Sequence, residues 1–234
     1  MMVDARAHGA RNANRQQGLP EQVASYVRER IFSGEVKPGE FLRMEPICEA
    51  VGVSNTPVRE GMQLLRSEGF VQMVPRRGFI VASFTRRDIR DLFWAQAQLA
   101  GELAARAASN ISSEQLARLD QIMAENKEAV AAGDSQRVTD LGHEFHRQIN
   151  HAADSHRLAL LLGSVVKHLP NRFYATIEQQ VDATVNEHPQ LVEALRTRNT
   201  RAARSMMKKH IATTADHLIA KLEEQGMWSD DTAK

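Results

Sequence analysis

The sequence predicts a mostly α-helical protein, with a small mixed domain near its N-terminus followed by an all-α bundle of about six helices. Apolar residues recur at helical spacing along most of the 234 residues. Strand-like segments occur only in one short stretch, 70–82. Aromatic residues make up 5% of the chain, whereas Ala and Leu are frequent, which is typical of helical proteins.

The first domain begins with a predicted helix over 22–33, which Gly34 ends. Its apolar face is formed by Val23, Val27 and Ile31. A second, short helix is predicted over 46–51, and Gly52 supplies the tight turn after it.

A third helix is predicted over 54–67, with Ser54 as its N-cap. Its inward face is formed by Val58, Met62 and Leu65. Two short strands over 70–74 and 78–82 follow, joined by the basic turn 75–78. A helix, a tight turn, a second helix and a basic hairpin together indicate a winged helix-turn-helix that reads duplex DNA.

This domain resembles the DNA-binding domain of the GntR family of bacterial transcription regulators, over about the first third of the chain. The matching residues are Gly34, Pro38, Gly39, Leu42, the run 52–60, Leu64, Leu65, Glu68, Gly69, Val71, Arg77 and Gly78. The resemblance implies a dimer that reads a short inverted repeat of the GT…AC type.

The candidate DNA-binding residues are Arg43, Ser54, Asn55, Thr56, Arg59, Arg76, Arg77 and Gly78. Arg59 can donate two hydrogen bonds to guanine O6 and N7, the role that the resemblance implies; pairing with phosphate or with Glu60 is the alternative. The family often carries arginine where this chain has Asn55, an amide suited to adenine or to phosphate. Arg76 and Arg77 are expected to enter the narrow minor groove from the wing.

The second domain is predicted to begin near Ser83, where Thr85 and an acid three residues later start a helix. Its first three helices are predicted over 85–109, over 112–133, and from 134 or 135 to 153. The fourth is predicted over 155–179, with an interruption near Pro170. The fifth is predicted to begin between 184 and 187 and to end at 198, and the sixth covers 200–226. The predicted domains are therefore a disordered tail over 1–18, the winged domain over 19–82, the helical domain over 83–228 and a flexible tail over 229–234.

The helical domain resembles the FCD effector domain of the FadR-like branch of the GntR family. The residues that carry this resemblance are Leu99, Ala104, Ala105, Ala107, Ala108, Phe145, His146, Ile149, Glu187, His188, Ala194, Leu195 and His210. The resemblance implies that a small-molecule effector binds inside the bundle.

The resemblance also implies a divalent metal, zinc or nickel, held by His146, His188 and His210. Gly142 stands where the family has an aspartate ligand, and His143 is a candidate replacement, since it lies one helical turn before His146. The alternative is that the three histidines are ordinary interior residues hydrogen-bonded around a polar cavity.

Two candidate effector-binding positions also carry residues that differ from the family pattern. Gln96 stands where the family often has an arginine that binds a carboxylate ligand, and Ala100 replaces an acid. Together with Gly142, both changes predict an effector that is less anionic or that is bound differently. Further polar candidates for the pocket wall are Asn150, Arg172 and Tyr174.

Composition limits the remaining function classes. The net charge of +1 excludes a protein that coats nucleic acid with its whole surface. The single cysteine, Cys48, is expected to be a buried thiol and excludes an internal disulfide. Residues 1–18 have no apolar core, so a secretory signal is not expected, and the expected compartment is the bacterial cytoplasm. The arginines of this tail, which either contact DNA phosphates or are solvated, are Arg6, Arg11 and Arg15.

Together these features predict a regulator, specifically a repressor, whose dimer releases a palindromic operator when an effector binds. A metal-responsive regulator, in which the metal is itself the signal, is the first alternative. A metal-dependent hydrolase and an architectural DNA-binding protein are the others; no zincin motif supports the hydrolase.

Overall fold

The computed structural model describes residues 18–168 and 182–228, with the backbone alone for residues 182–186. The chain divides into two compact units, one of Met1–Phe84 with Glu224–Lys234 and one of Thr85–Glu223. The first division lies close to the predicted boundary. The second differs, because residues 224–228 group with the first unit, whereas the sequence assigned them to the helical domain.

The first unit has the predicted helices and hairpin. Its helices are α1 (Leu19–Phe32), α2 (Met44–Val51) and α3 (Asn55–Ser67). Its strands are β1 (Phe41–Leu42), β2 (Val71–Val74) and β3 (Gly78–Val81), in the antiparallel order β1-β3-β2. Leu42 pairs with Phe79 and Val71 with Val81. Strand β1 was not predicted, because two residues are too few to show an alternating pattern.

The core of this unit lies between α1 and α3. Its fully buried apolar residues, each 0% exposed, are Val23, Ala24, Ile31, Val58, Met62 and Leu65. Gly61 lets the two helices approach closely, because a Cβ atom at this position would lie 2.7 Å from the backbone oxygen of Pro20. The predicted inward faces of both helices are therefore confirmed.

An ion pair lies at the edge of this core. The Arg28 guanidinium, which is buried, donates to both carboxylate oxygens of Glu68 at 2.8 and 2.9 Å and to Glu21 at 3.1 Å. The two-pronged geometry satisfies a charge that would be costly to bury alone.

The segment after the last helix completes the first unit. The indole Nε1 of Trp228 donates to the backbone oxygen of Phe84 at 2.7 Å. The Trp228 ring meets the Phe84 ring edge to face, with 6.1 Å between centroids, and Phe84 in turn contacts Phe32 at 5.5 Å. Both ends of the described chain thus contribute to the unit that carries the winged helix.

The second unit is helical throughout its described part. Its helices are α4 (Arg86–Asn110), α5 (Ser113–Ala132), α6 (Ser135–Ala152), α7 (His156–Val166), α8 (Asp182–Arg196) and α9 (Thr200–Glu224). The predicted start signals hold at two of them, because Thr85 and Ser112 both form capping boxes, with Asp88 and Gln115 respectively. None of the described helices is both long and apolar enough to cross a membrane.

Four sequence-based details differ from the structure. Helix α8 begins at Asp182, earlier than predicted. It contains Pro189 in its interior, which has no backbone N–H to donate to the helix. Ser54 and Ser155 occupy N-cap positions, but neither side chain makes a capping hydrogen bond. Cys48 is half-exposed rather than buried, because Ile47 takes the inward position of the short α2.

Several predictions lie outside the described residues. They are the tail arginines Arg6, Arg11 and Arg15, the interruption near Pro170, the helical stretch up to 179, the pocket candidates Arg172 and Tyr174, and the C-terminal tail 229–234.

Candidate nucleic-acid interface and metal centre

The candidate DNA-binding residues share one property, which is exposure to solvent. All eight are exposed on the first unit: Arg43, Ser54, Asn55, Thr56, Arg59, Arg76, Arg77 and Gly78. Arg43 occupies the N-cap position of α2, and the group 54–59 lies at the start of α3. This placement puts polar side chains at the N-terminal end of the recognition helix, where base edges are reached in this class of fold.

Arg59 has no partner within the described part of the chain. No hydrogen bond or ion pair joins its guanidinium to Glu60 or to any other described residue. Arg66, further along α3, donates weakly to Gln63 at 3.5 Å. The five donors of Arg59 are therefore available to a DNA base or phosphate.

Asn55 has a neighbour that the sequence did not indicate. The Sγ atom of Cys48 lies 3.4 Å from Oδ1 of Asn55, within hydrogen-bonding distance for a thiol. This contact leaves the amide nitrogen of Asn55 as its unengaged donor. Helix α2 thus orients a side chain at the start of the recognition helix.

The backbone of the wing turn contains two residues with positive φ. Arg76 adopts a positive φ of 62° and Gly78 one of 103°, so the turn is tight. The Arg77 guanidinium lies 4.5 Å from the centroid of the Phe41 ring, a cation–π contact that fixes its stem on β1. Arg76 remains exposed beside it.

Three histidines from three helices converge in the second unit. His146 lies on α6, His188 on α8 and His210 on α9. Each offers one ring nitrogen, and these three atoms lie within 4.8 Å of one another. His188 and His210 are buried and His146 is half-buried.

Ring packing holds the cluster together. The His188 ring stacks on Phe145, with centroids 3.9 Å apart and planes 12° from parallel. The His146 ring lies 5.2 Å from the His210 ring and 5.6 Å from the His188 ring. Phe145 therefore forms an apolar wall that fixes the plane of one imidazole.

The protonation states suit metal binding. Burial, with smaller effects of His210 and His143, lowers the pKa of His146 from 6.5 to about 3. Burial likewise lowers the pKa of His188 well below its usual value. Neutral imidazoles carry the lone pair that a metal ion needs.

One buried nitrogen atom bears directly on whether a metal ion fits this cluster. Nε2 of His188 is buried and has no hydrogen-bond partner among the described residues. An unpaired polar atom in the interior costs free energy, so a natural structure normally supplies a partner. A divalent ion bound by all three histidines would supply one, and three imidazoles are a donor set typical of zinc.

Glu187 is a residue of this site that sequence reasoning used only as part of the resemblance. Its Oε2 lies 2.9 Å from Nδ1 of His210. Its Oε1 lies 3.7 Å from Nζ of Lys209. The adjacency of Glu187 to His188 was visible in the sequence, but no spacing rule relates either residue to His210.

The structure does not bring His143 into the cluster. Its side chain is exposed to solvent, and it is not among the three residues whose ligand atoms converge. Helical spacing places His143 and His146 on neighbouring faces, but only His146 turns inward. The prediction that His143 replaces the missing aspartate is therefore not supported, and Gly142 is buried without any ligand to offer.

The remaining pocket candidates occupy different environments. Gln96 is buried at 4% exposure on α4, and Ala100 is buried at 5% one turn later. Asn150 is half-buried on α6. Of the other histidines, His151 and His156 are exposed, whereas the half-buried ones are His168 and His217.

The nearest acid on α6, Glu144, is engaged by a neighbouring helix. Its carboxylate accepts hydrogen bonds from Arg118 on α5, at 2.5 and 3.1 Å. This ion pair joins two helices. The carboxylate that does contact the cluster is that of Glu187, which lies 2.9 Å from His210.

A winged helix-turn-helix with an exposed recognition helix, followed by a helical unit with an internal histidine cluster, defines a two-domain DNA-binding regulator. Comparison with known proteins gives the family. Residues 19–81 match the model of bacterial regulatory proteins of the gntR family, and residues 91–213 match the FCD domain. The chain belongs to the GntR family and carries an FCD domain.

Related proteins are named as transcription regulators. The HTH-type transcriptional regulator YdhC of Bacillus subtilis (strain 168) is 27% identical over 209 residues, which cover 87% of this chain and 92% of YdhC. The HTH-type transcriptional repressor RspR of Escherichia coli (strain K12) is 22% identical over 217 residues, covering 92% of this chain and 95% of RspR. Among solved structures, E. coli McbR/YncC has a TM-score of 0.63 at 21% identity, covering 89% of this chain and 99% of that one. The structural likeness shows the fold.

Proposed function

We propose that this chain is a repressor that binds a short palindromic operator as a dimer. We further propose that an effector coordinated to a metal ion at His146, His188 and His210 controls this binding. The observation that carries the proposal is the convergence of three imidazole nitrogens within 4.8 Å inside the FCD domain.

The DNA-binding half of the proposal is supported by the exposed surface of the first unit. The unpartnered guanidinium of Arg59 lies where it can meet a guanine edge, and the wing carries two exposed arginines, Arg76 and Arg77. A single winged domain covers one half-site, so a dimer with two-fold symmetry reads an inverted repeat. The relative RspR is named a transcriptional repressor, which supports repression by this chain.

The effector half of the proposal is supported by the chemistry of the cluster. A divalent ion held by three imidazoles keeps further coordination positions for oxygen or nitrogen donors of a small molecule. Gln96 and Ala100, both buried, replace an arginine and an acid of the family pattern. The effector is therefore expected to be less anionic than a typical organic acid.

Control of DNA binding requires a difference in affinity. The effector must bind one conformation of the dimer more tightly than the other, by roughly 1–3 kcal/mol, to change operator occupancy appreciably. The same coupling acts in reverse, so operator DNA weakens effector binding by the same factor.

The test begins with selection of duplexes from a random DNA pool by the wild-type protein. The dissociation constant of the selected duplex is then measured with zinc, with a chelator, and with zinc plus a panel of uncharged metal-coordinating molecules. Each measurement is repeated with His188→Gln and with the control His217→Gln, whose histidine lies on α9 outside the cluster.

The proposal expects that one panel member weakens DNA binding at least about 5-fold in wild type and in His217→Gln, but not in His188→Gln. A shift of that size caused by zinc alone would favour the metal-responsive alternative. Equal responses in wild type and His188→Gln would contradict control through the cluster. Selection of no preferred sequence would contradict operator recognition.

A further inference from the structure

Glu187 lies beside the histidine cluster without belonging to it. It is adjacent to His188 on α8, and its carboxylate contacts His210 on α9. We propose that Glu187 is a positioning residue of the metal centre, which fixes the tautomer of His210 and provides the negative charge missing at Gly142. This inference rests on the metal site proposed above.

The tautomer argument starts from the 2.9 Å contact between Nδ1 of His210 and Oε2 of Glu187. A carboxylate only accepts hydrogen bonds, and a neutral imidazole has one donor nitrogen and one acceptor nitrogen. Nδ1 of His210 therefore carries the hydrogen, and the lone pair lies on Nε2. A carboxylate hydrogen-bonded to a histidine in this way fixes the ring orientation and raises its basicity as a ligand.

The other two histidines are fixed by different means. Among the described residues, Nε2 of His188 has no hydrogen-bond partner, and the ring plane is set by the stack on Phe145 at 3.9 Å. His146 meets the edge of Phe145 and packs beside His210. His210, in contrast, is oriented by a contact with a charged side chain.

The second carboxylate oxygen of Glu187 shows why this residue acts from outside the cluster. Oε1 lies 3.7 Å from Nζ of Lys209, which is 76% exposed, so this oxygen faces the surface side. Oε2 is engaged by His210. Both oxygens have partners, and a direct bond from Glu187 to a metal ion would break the contact that orients His210.

The charge argument follows from the ligand set. Three neutral imidazoles leave the full charge of a divalent ion uncompensated, because Gly142 supplies no carboxylate. The half-buried carboxylate of Glu187 lies against Nδ1 of His210 and offsets part of that charge. One residue thereby supplies both orientation and charge.

The test compares Glu187→Gln with wild type and with Glu193→Gln, a control on α8 whose exposed carboxylate pairs only with Arg196 among the described residues. Zinc affinity is measured by competition with a chromophoric chelator, and the ligand set is read from the absorption of the cobalt(II) form. The tautomer of His210 is read from nitrogen chemical shifts of the metal-free wild-type protein, which requires no variant.

We expect Glu187→Gln to bind zinc about 10–100-fold more weakly, with one site per chain and an unchanged cobalt spectrum, while Glu193→Gln matches wild type. The metal-free wild-type protein should show His210 protonated on Nδ1. Equal zinc affinity of Glu187→Gln and wild type would overturn the role of Glu187 and leave the metal site intact. A changed cobalt spectrum would instead identify Glu187 as a direct ligand and would overturn its positioning role. A wild-type protein that binds no zinc would overturn the metal site itself and this inference with it.

Discussion

Arg59 carries the most specific prediction about DNA recognition at the scale of single residues. Its guanidinium is exposed at the start of α3 and unpartnered among the described residues, so nothing in that part of the chain competes with a base. Replacing Arg59 by Ala should weaken binding to a selected operator by roughly 1–3 kcal/mol and relax the preference at one base pair.

The matched control is Arg66→Ala, further along the same helix. Its loss should weaken binding to all sequences similarly, if at all. Competition binding of wild type and both variants against operators with single base changes measures the difference. An Arg59→Ala protein that keeps the full base preference would remove Arg59 from base reading.

The low pKa of His146 predicts how the metal-free protein responds to acid. In the folded protein this pKa is lowered from 6.5 to about 3 by burial, so the folded state resists a proton that the unfolded state accepts. The contribution to stability is therefore complete above about 6.5 and falls as pH decreases towards 3. The slope is at most about 1.4 kcal/mol per pH unit for one histidine.

Denaturant unfolding of the metal-free protein at several pH values measures this slope. His146→Gln should unfold with a shallower dependence on pH over the same interval, because it has no imidazole to protonate. An identical slope in both proteins would show that His146 titrates normally in the folded state.

At the scale of elements, the contact between α1 and α3 depends on Gly61. A Cβ atom there would lie 2.7 Å from both the backbone oxygen of Pro20 and Cγ1 of Val23, neither of which is a flexible chain end. Gly61→Ala should therefore destabilise the first unit by roughly 1–3 kcal/mol.

Gly163 provides the opposite case within α7, because no atom of the described residues lies within 4 Å of a Cβ atom at this position. Gly163→Ala should stabilise the protein by about 0.5–1 kcal/mol through helix propensity. Thermal unfolding of both variants tests the pair. Equal effects would mean that α1 and α3 can separate without cost.

The C-terminal segment makes a second prediction about elements. The Trp228 indole donates to the Phe84 backbone oxygen at 2.7 Å and packs on the Phe84 ring. Trp228→Ala removes both contacts and should lower the stability of the first unit by roughly 1–3 kcal/mol.

The control is Trp94→Ala, which changes the chain's other tryptophan at a position 66% exposed. It should leave the unfolding midpoint nearly unchanged. The two variants are compared by circular dichroism during denaturant unfolding. A Trp228→Ala protein as stable as Trp94→Ala would mean that the segment after α9 does not stabilise the winged domain.

The elements that the sequence predicted well are those with local signals. Helix starts at Thr85 and Ser112 followed from capping boxes, and the end of α2 followed from a glycine at Gly52. Strand β1 and the return of Trp228 to the first unit depend on contacts between residues far apart in the chain. Such contacts leave no periodic pattern to read.

The candidate site likewise contains some residues that the sequence predicted and some contacts that it could not predict. The resemblance gave the three histidines whose ligand atoms the structure brings within 4.8 Å of one another. Helical spacing suggested His143, which instead is exposed. The contact of Glu187 with His210 joins two helices, and the contact of Cys48 with Asn55 joins α2 to α3, so neither could be deduced from position along one helix.

On the scale of the whole molecule, the helical unit is inserted in the chain between two parts of the DNA-binding unit. Residues up to Phe84 and from Glu224 onward belong to one unit, and Thr85–Glu223 form the other. The chain therefore passes between the helical unit and the DNA-binding unit twice. The proposed regulation requires that occupancy of the histidine cluster be coupled to the arrangement of the winged domains in a dimer.

The metal content of the purified protein tests the central claim most directly. Metal equivalents per chain are measured by elemental mass spectrometry on untagged protein that has been purified without chelator and offered zinc. The account predicts about one equivalent in wild type and in His217→Gln, and a large loss in His188→Gln, since a structural zinc site needs its full ligand set. No bound metal in the wild-type protein, or equal metal in wild type and His188→Gln, would contradict it.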